Sequence, residues 1–255
     1  MITAQLATIP ERLPILPKVI DSLLPQVDIL NVMLNNYTPD QVTQLMNISN
    51  AHRWERFDDY DHIKLRFWVR NNQKTDGEKY YQIELAEPGY IFICDDDILY
   101  PYNYVDYMVR KIEQYERKAV ISLHGRVWNE LPITSFYRDR SDINPWDDTY
   151  IPNRMYRCLE DVEGDHRVHC CGDGVSAWHT DTLKMTYEDI EEPDMSQLWL
   201  ALKCNKLDIP QIVVEHKEGF IENLLDDDMF QTSIWNRNKD DKRQTQIINS
   251  RWIIR

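Results

Sequence analysis

Long apolar runs are missing from this sequence. No stretch of about 18 apolar residues occurs, so no membrane-spanning helix is expected. Basic residues are also in short supply, with 29 Lys and Arg against 43 Asp and Glu and a formal charge of −14. A sequence-independent grip on a phosphate backbone needs clustered Lys and Arg. Nucleic acid is therefore disfavoured as a partner, although a local basic groove is still allowed. The first residues, Met1 to Thr8, have neither a basic start nor a long apolar core, and no signal peptide is expected. The five cysteines are odd in number and lack metal-ligand spacing. Cys170 and Cys171 are adjacent and poorly placed to pair with each other, so free thiols in a reducing cytosol are the expectation. No internal repeat, low-complexity segment or clean linker interrupts the chain. At 255 residues, 42% apolar and 11% aromatic, a single domain with a real core is favoured.

What is present is organised around residues 90–101. Five apolar residues run unbroken from Tyr90 to Cys94 and stop at Asp95, Asp96 and Asp97. Such a run suits a strand buried on both faces, as in a parallel sheet. In an open α/β sheet, ligands bind just beyond the carboxyl ends of the strands. Three carboxylates placed there repel one another unless a cation sits among them. A hard divalent ion takes one or two carboxylates and completes its shell with water and phosphate oxygens. The stretch thus reads as a metal–phosphate site, against the plainer alternative of a polar turn after a core strand.

The remaining pattern is one of strands alternating with helices. Ile2 to Thr8, Ile29 to Leu34 and Ile63 to Val69 read as strands. Leu16, Ile20, Leu23 and Leu24 have helical spacing, closed by Pro25. Thr38, Pro39 and Gln41 make a helix start of the capping-box type. Glu78 to Glu87 is expected to be a short helix. Val105, Met108, Val109 and Ile112 form the apolar stripe of an amphipathic helix. Ala119 to Leu123 is a further strand, and Val168 to Val175 a strand with a tight turn at Gly172, Asp173 and Gly174. Asp194 to Cys204 reads as a helix and Ile209 to Glu215 as a last strand. The alternation predicts a mainly parallel, right-handed α/β sheet. Residues 126–166 break the pattern and suit a functional insertion or a cover.

In this order the pieces resemble a GT-A glycosyltransferase, similar to the family 2 group that uses nucleotide-sugar donors. The resemblance covers about residues 2–216 and rests most on the Asp triplet and its strand. It implies a single GT-A, Rossmann-like α/β domain over residues 1–220, with a donor half to about residue 100 and an acceptor half beyond. Residues 221–255 would be a charged, aromatic C-terminal extension, a candidate lid. It implies that Thr8, Pro10 and Arg12 cradle the nucleoside, and that Asn36 stands where the family often has an acidic residue. Asp76 and Lys79 would flank base and diphosphate. Asp95 and Asp97 form a DxD pair, with Asp96 sharing the ribose or sugar contact. Asp97, Asp95 and His216 are the implied ligands of Mn²⁺ or Mg²⁺. Asp194, taken as a helix cap, or Glu192 would be the catalytic base. The activity implied is inverting transfer from a nucleotide-diphosphate sugar, a UDP-sugar favoured, to a glycan or other hydroxyl acceptor in surface glycan synthesis. The implied location is the cytoplasm, peripheral to a membrane only through partners; the oligomeric state is not read from sequence.

The residues support this chemistry on their own. A sugar hydroxyl is a weak nucleophile at neutral pH, and a carboxylate within hydrogen-bond reach can take its proton. The leaving diphosphate gathers negative charge that a divalent ion, Lys79 or Arg12 can offset. Other readings are open. A hydroxymethylated DNA base as acceptor fits poorly with so acidic a chain. A haloacid-dehalogenase-like phosphohydrolase also places Asp-x-Asp after an apolar strand. There, however, that strand usually comes first, whereas here it is fourth and Leu99 follows. A non-catalytic carbohydrate-binding protein is opposed by the triplet and the candidate base. Asp226, Asp227 and Asp228 form a second triplet with no strand before it, read as a solvated face. Trp128, Phe136, Tyr137, Trp146, Tyr150 and Tyr156 are core or sugar-stacking aromatics. The basic tail from Trp235 to Arg255 is either a cover over the diphosphate or a helix for a partner.

Overall fold

A computed structural model describes residues 1–52, 65–137, 153–234 and 240–254. Ile63, Trp146, Tyr150 and residues 235–239 and 255 of the tail lie outside the described residues.

The strand expectations for β1 (Ile2–Thr8), β2 (Ile29–Asn35), β3 (Leu65–Arg70) and β4 (Tyr90–Cys94) hold. These four lie in the order β3-β2-β1-β4, all parallel. Beyond β4 the sheet becomes mixed. Next comes β11 (Val175–His179), antiparallel to β4 and to β6 (Val120–Ser122). Then β12 (Gln211–Val213) runs parallel to β6, and β9 (His166–Val168) closes the far edge antiparallel. The fold is α/β, with a large, mainly parallel central sheet flanked by helices. A small antiparallel sheet joins β10 (Cys170–Cys171), β7 (Gly125–Val127) and β8 (Arg154–Tyr156). A two-stranded pair joins β5 (Ile98–Leu99) to β13 (Glu222–Asn223).

The central strand is buried on both faces, as its apolar run requires. Phe92 and Cys94 enter the core cluster that also holds Leu16, Ile20 and Leu23 of α1 (Leu16–Leu23) and Val105, Met108 and Ile112 of α3 (Tyr104–Gln114). Ile91 and Ile93 enter the opposite cluster with Leu198 and Trp199 of α4 (Ser196–Leu207). The alternation follows from the two-residue period of a strand. Helix α2 (Pro39–His52) starts with the expected box: Gln41 N–H donates to Thr38 Oγ1 at 3.3 Å, and Thr38 N–H to Gln41 Oε1 at 3.0 Å.

Several expectations need correction. In place of the helix expected over residues 78–87 there are two 3₁₀ turns, Thr75–Tyr80 and Ile83–Leu85, separated by Gln82, which is left-handed at φ 56°. The strand and tight turn expected within residues 168–175 are β10 and the turn at Asp173 and Gly174, and a further strand, β11, begins at Val175. Asp194 lies outside α4, left-handed at φ 62°, and does not cap it. The second Asp triplet is exposed, and Asp226 caps α5 (Asp227–Phe230) by accepting the Met229 N–H at 2.8 Å. The tail helix α6 (Lys242–Arg251) buries Ile247 and Ile248 in the cluster of Ile91 and Ile93. All five cysteines are unpaired. Among the described residues no helix is long and apolar enough to cross a membrane.

Candidate active site

The parallel register sets Leu6 beside Cys94, so β1 and β4 end at the same edge of the sheet. The loop from Ile9 to Arg12 and the Asp triplet therefore leave the sheet side by side, where α/β proteins bind ligands. Strand β11 runs the other way and pairs Val175 with Cys94, which brings Gly172, Asp173 and Gly174 to the same edge. A Cβ on Gly174 would overlap the Asp95 carboxylate, so the close approach requires glycine. A cavity of about 380 Å³ opens at this edge.

Of the residues expected to act, Thr8, Arg12, Asp76, Lys79, Asp95, Asp96, Asp97 and Asp194 all line the cavity. Lys79, 4% exposed, is ion-paired to Asp95 and stands 4.0 Å from Asp173. Burial works against its charge, but Asp173, Asp95 and Asp76 more than offset this and hold its pKa above the ordinary lysine value. Arg12, 3% exposed, donates to the Met229 carbonyl at 2.8 Å and lies 3.8 Å from Asp96. Burial raises Asp96 to about 6, with Asp95 adding repulsion and the Thr8 hydroxyl and Arg12 opposing. Burial, then Asp95 and Asp96, push Asp97 up to about 8. Burial thus favours the protonated forms of Asp96 and Asp97, and full ionisation of the triplet would exceed the positive charge of Lys79 and Arg12. Asp76 is raised to about 6, again mainly by burial and then by Asp173. Its Oδ2 accepts the Ser196 N–H at 2.9 Å and the Ser196 hydroxyl, so Asp76 is committed to the start of α4.

Four other expected residues are not among those lining the cavity: Pro10, Asn36, Glu192 and His216. Asn36 is exposed at φ 60°, and it is Asn35 before it that reaches the cavity. Glu192 is paired with Arg243 of α6, which holds its pKa below the ordinary value. His216, 5% exposed, forms a β-bridge with Val162, and its ring nitrogens lie 2.7 Å from the Val214 carbonyl and 3.2 Å from that of Arg157. These contacts commit the ring to the protein interior. His124 also lines the cavity; burial lowers its pKa to about 3 and keeps it neutral. Tyr137 also lines it, whereas Trp128 and Phe136 are core residues.

Sequence reasoning missed Asn35, Asn72 and Thr75. Each lines the cavity, and the side-chain oxygens of Asn35 and Asn72 are buried with no hydrogen-bond partner among the described residues. The terminal polar residue of β2 was a weak signal for Asn35; Thr75 sits in an ordinary polar loop.

Among the described residues no group of three or more His, Cys, Asp or Glu side chains forms a ready metal cage. The donor set is nevertheless hard oxygen, crowded and short of positive charge. It fits an ion such as Mg²⁺ or Mn²⁺ that takes one or two carboxylates and draws its other ligands from water and phosphate.

No protein-family model matches the sequence, and no characterised protein matches it in sequence. Parts of solved structures are similar to it. Glucosyl-3-phosphoglycerate synthase from Mycobacterium tuberculosis, in complex with Mn²⁺, UDP-glucose and phosphoglyceric acid, is 19% identical over 48% of this chain, with a TM-score of 0.34. Residues 1–349 of S. aureus TarS are 11% identical over 85% of this chain, with a TM-score of 0.48. The chain spans 42% of the first structure and 58% of the second.

Proposed function

We propose that this chain is a glycosyltransferase that uses Mn²⁺ or Mg²⁺ to move a sugar from a nucleotide-diphosphate sugar, preferably a UDP-sugar, to a hydroxyl acceptor on a growing surface glycan, with inversion. One observation carries the reading. Three carboxylates at the tip of a buried strand border the same cavity as a separate carboxylate, Asp194, with Lys79 and Arg12 beside the triplet.

Each residue then has a task. Thr8 and Asn35 meet the nucleoside, and Asp96 its ribose or the sugar. Asp97 and Asp95 would hold the metal, and His216 could join them only by giving up its carbonyl contacts. A bound divalent ion supplies positive charge against the departing diphosphate. Lys79 and Arg12 add fixed positive charge on the same side. Asp194 accepts the proton of the acceptor hydroxyl as that oxygen attacks the anomeric carbon. With base and leaving group on opposite faces of the sugar, a single displacement inverts it. Residues 1–220 form the transferase unit in this reading. The extension from 221 contributes Thr232, Ser233 and Ile234 to the cavity wall.

The test is a panel of nucleotide sugars with Mn²⁺, read as release of nucleoside diphosphate. Release should require the metal and disappear in Asp97→Asn together with metal-dependent donor binding. Asp194→Asn should keep donor binding and lose about 10²–10⁴-fold in kcat. Metal-dependent hydrolysis of p-nitrophenyl phosphate, with no nucleotide sugar turned over, sinks the proposal in favour of a phosphohydrolase.

A further inference from the structure

Two hydrogen-bonded residues that line the cavity have an unusual backbone. Asp194 is left-handed at φ 62° and Thr75 at φ 51°. Positive φ is uncommon outside glycine, and in a β-branched residue such as threonine it is a genuine outlier. Such conformations are strained and persist only where the surroundings over-determine them. Here the surroundings do so. The Thr75 hydroxyl donates to the Lys74 carbonyl at 2.8 Å and accepts the Asp194 N–H at 2.6 Å, so its donor and one acceptor site are both used. The Thr75 carbonyl accepts from the Asn35 carboxamide at 3.3 Å. One residue further on, Asp76 takes the Ser196 N–H and hydroxyl. Helix α4 lacks a side-chain cap of its own, and this distant carboxylate supplies it.

We propose that Thr75 and Asp76 are positioning residues for Asp194. Thr75 holds the Asp194 backbone in its left-handed form, Asp76 anchors the helix that starts two residues later, and together they fix where the Asp194 carboxylate meets the cavity. The proposal rests on Asp194 being the base. The arrangement explains how a residue outside any regular element is kept in register with a site built on β1 and β4. It also explains why Asp76, though it lines the cavity, is already engaged. Asn35 at the end of β2 backs the Thr75 carbonyl, so the chain of contacts runs from the central sheet to Asp194.

Thr75→Val keeps the shape and deletes the acceptor; Thr75→Ser keeps the acceptor. Thr75→Gly deletes the acceptor and tolerates positive φ, so it should fold even if Val does not. A misplacement of about 1 Å at a reacting group costs about 10²-fold. The expected result is that Thr75→Val and Thr75→Gly lose about 10²-fold in kcat with donor KM unchanged, while Thr75→Ser stays within about threefold. Amide hydrogen exchange should show the Asp194 N–H protected in the wild type and at least about tenfold faster in Val and Gly. Wild-type kcat in the Gly variant, or equal losses in Ser and Gly, overturns the inference and leaves the glycosyltransferase reading intact. A wild-type protein that turns over no nucleotide sugar overturns both.

Discussion

At the scale of single residues the site is defined by buried acids crowded together. Asp97 is pushed up to about 8 and Asp96 and Asp76 to about 6, in each case first by burial. The sign of the consequence follows from linkage. An unfolded chain releases these protons near pH 4, whereas the folded protein keeps them to higher pH. The folded state therefore binds more protons between about pH 4 and pH 8, and stability must fall as pH rises through that window. A cation that binds the ionised triplet opposes the fall. In EDTA the melting temperature should drop from pH 5 to pH 8, Mn²⁺ should raise it more at pH 8 than at pH 5, and Asp97→Asn should flatten both trends. Thermal melts with and without Mn²⁺ would settle this, and equal Mn²⁺ shifts in wild type and Asp97→Asn would refute it. The triplet was legible because its signal is local: an apolar run, then three acids. Thr75 was not, because its importance comes from a contact with Asp194, 119 residues away. Glu192 and His216 misled for the same reason. Arg243, which pairs with Glu192, and the Arg157 carbonyl beside the His216 ring lie 51 and 59 residues away and cannot be read from their own neighbourhoods.

At the scale of elements, β4 was readable and β11 was not. Both are buried along most of their length, but β11 contains Ser176 and His179. The Ser176 hydroxyl donates to the Asp173 carbonyl at 3.3 Å, and His179 Nδ1 accepts the Asp181 N–H at 3.1 Å. Partners of this kind let polar residues sit in a central strand, and no apolar run announces it. The turn before β11 is nonetheless a sensitive part of the site, because Gly174 lies against Asp95. Gly174→Ala adds one methyl where only the carboxylate can give way. Overpacking of this kind costs about 1–3 kcal/mol. Because the Asp95 side chain can move, the fold should survive and the cost should appear in ligand binding. Calorimetry with UDP and Mn²⁺ should find affinity down by about five- to hundredfold, with circular dichroism unchanged. Undiminished binding would separate Asp95 from the metal–nucleotide site.

At the scale of the whole molecule, the C-terminal region is woven into the fold. Leu224 N–H donates to the Asp97 carbonyl at 2.8 Å, and β13 pairs with β5 directly after the triplet. Further on, α6 is fastened to the segment before residue 138. Asn249 exchanges hydrogen bonds with the Ile133 backbone, and Thr245 and Asp241 accept from the N–H groups of Phe136 and Tyr137. Arg243 and Arg251 pair with Glu192 and Glu191 on the stretch that leads to Asp194. Helix α6 packs on the chain's own core through Ile247 and Ile248. Its sequence hid this, since Ile247 and Ile248 are adjacent and make no helical stripe of apolar residues. Ending the chain at residue 240 removes both isoleucines and uncovers Trp128, Phe136 and Leu198, their neighbours in that core. Burial of each isoleucine is worth about 1.5–3 kcal/mol, and their joint loss is comparable with the about 5–15 kcal/mol that holds a domain together. The truncated chain should therefore lose its cooperative melt in circular dichroism, or melt well below the full chain. Ile247→Ala alone should cost about 2–5 kcal/mol in urea unfolding. A truncated chain with an unchanged transition midpoint would mean that the first 240 residues carry the core unaided, and that the contacts of α6 with Ile133, Phe136 and Glu192 contribute little.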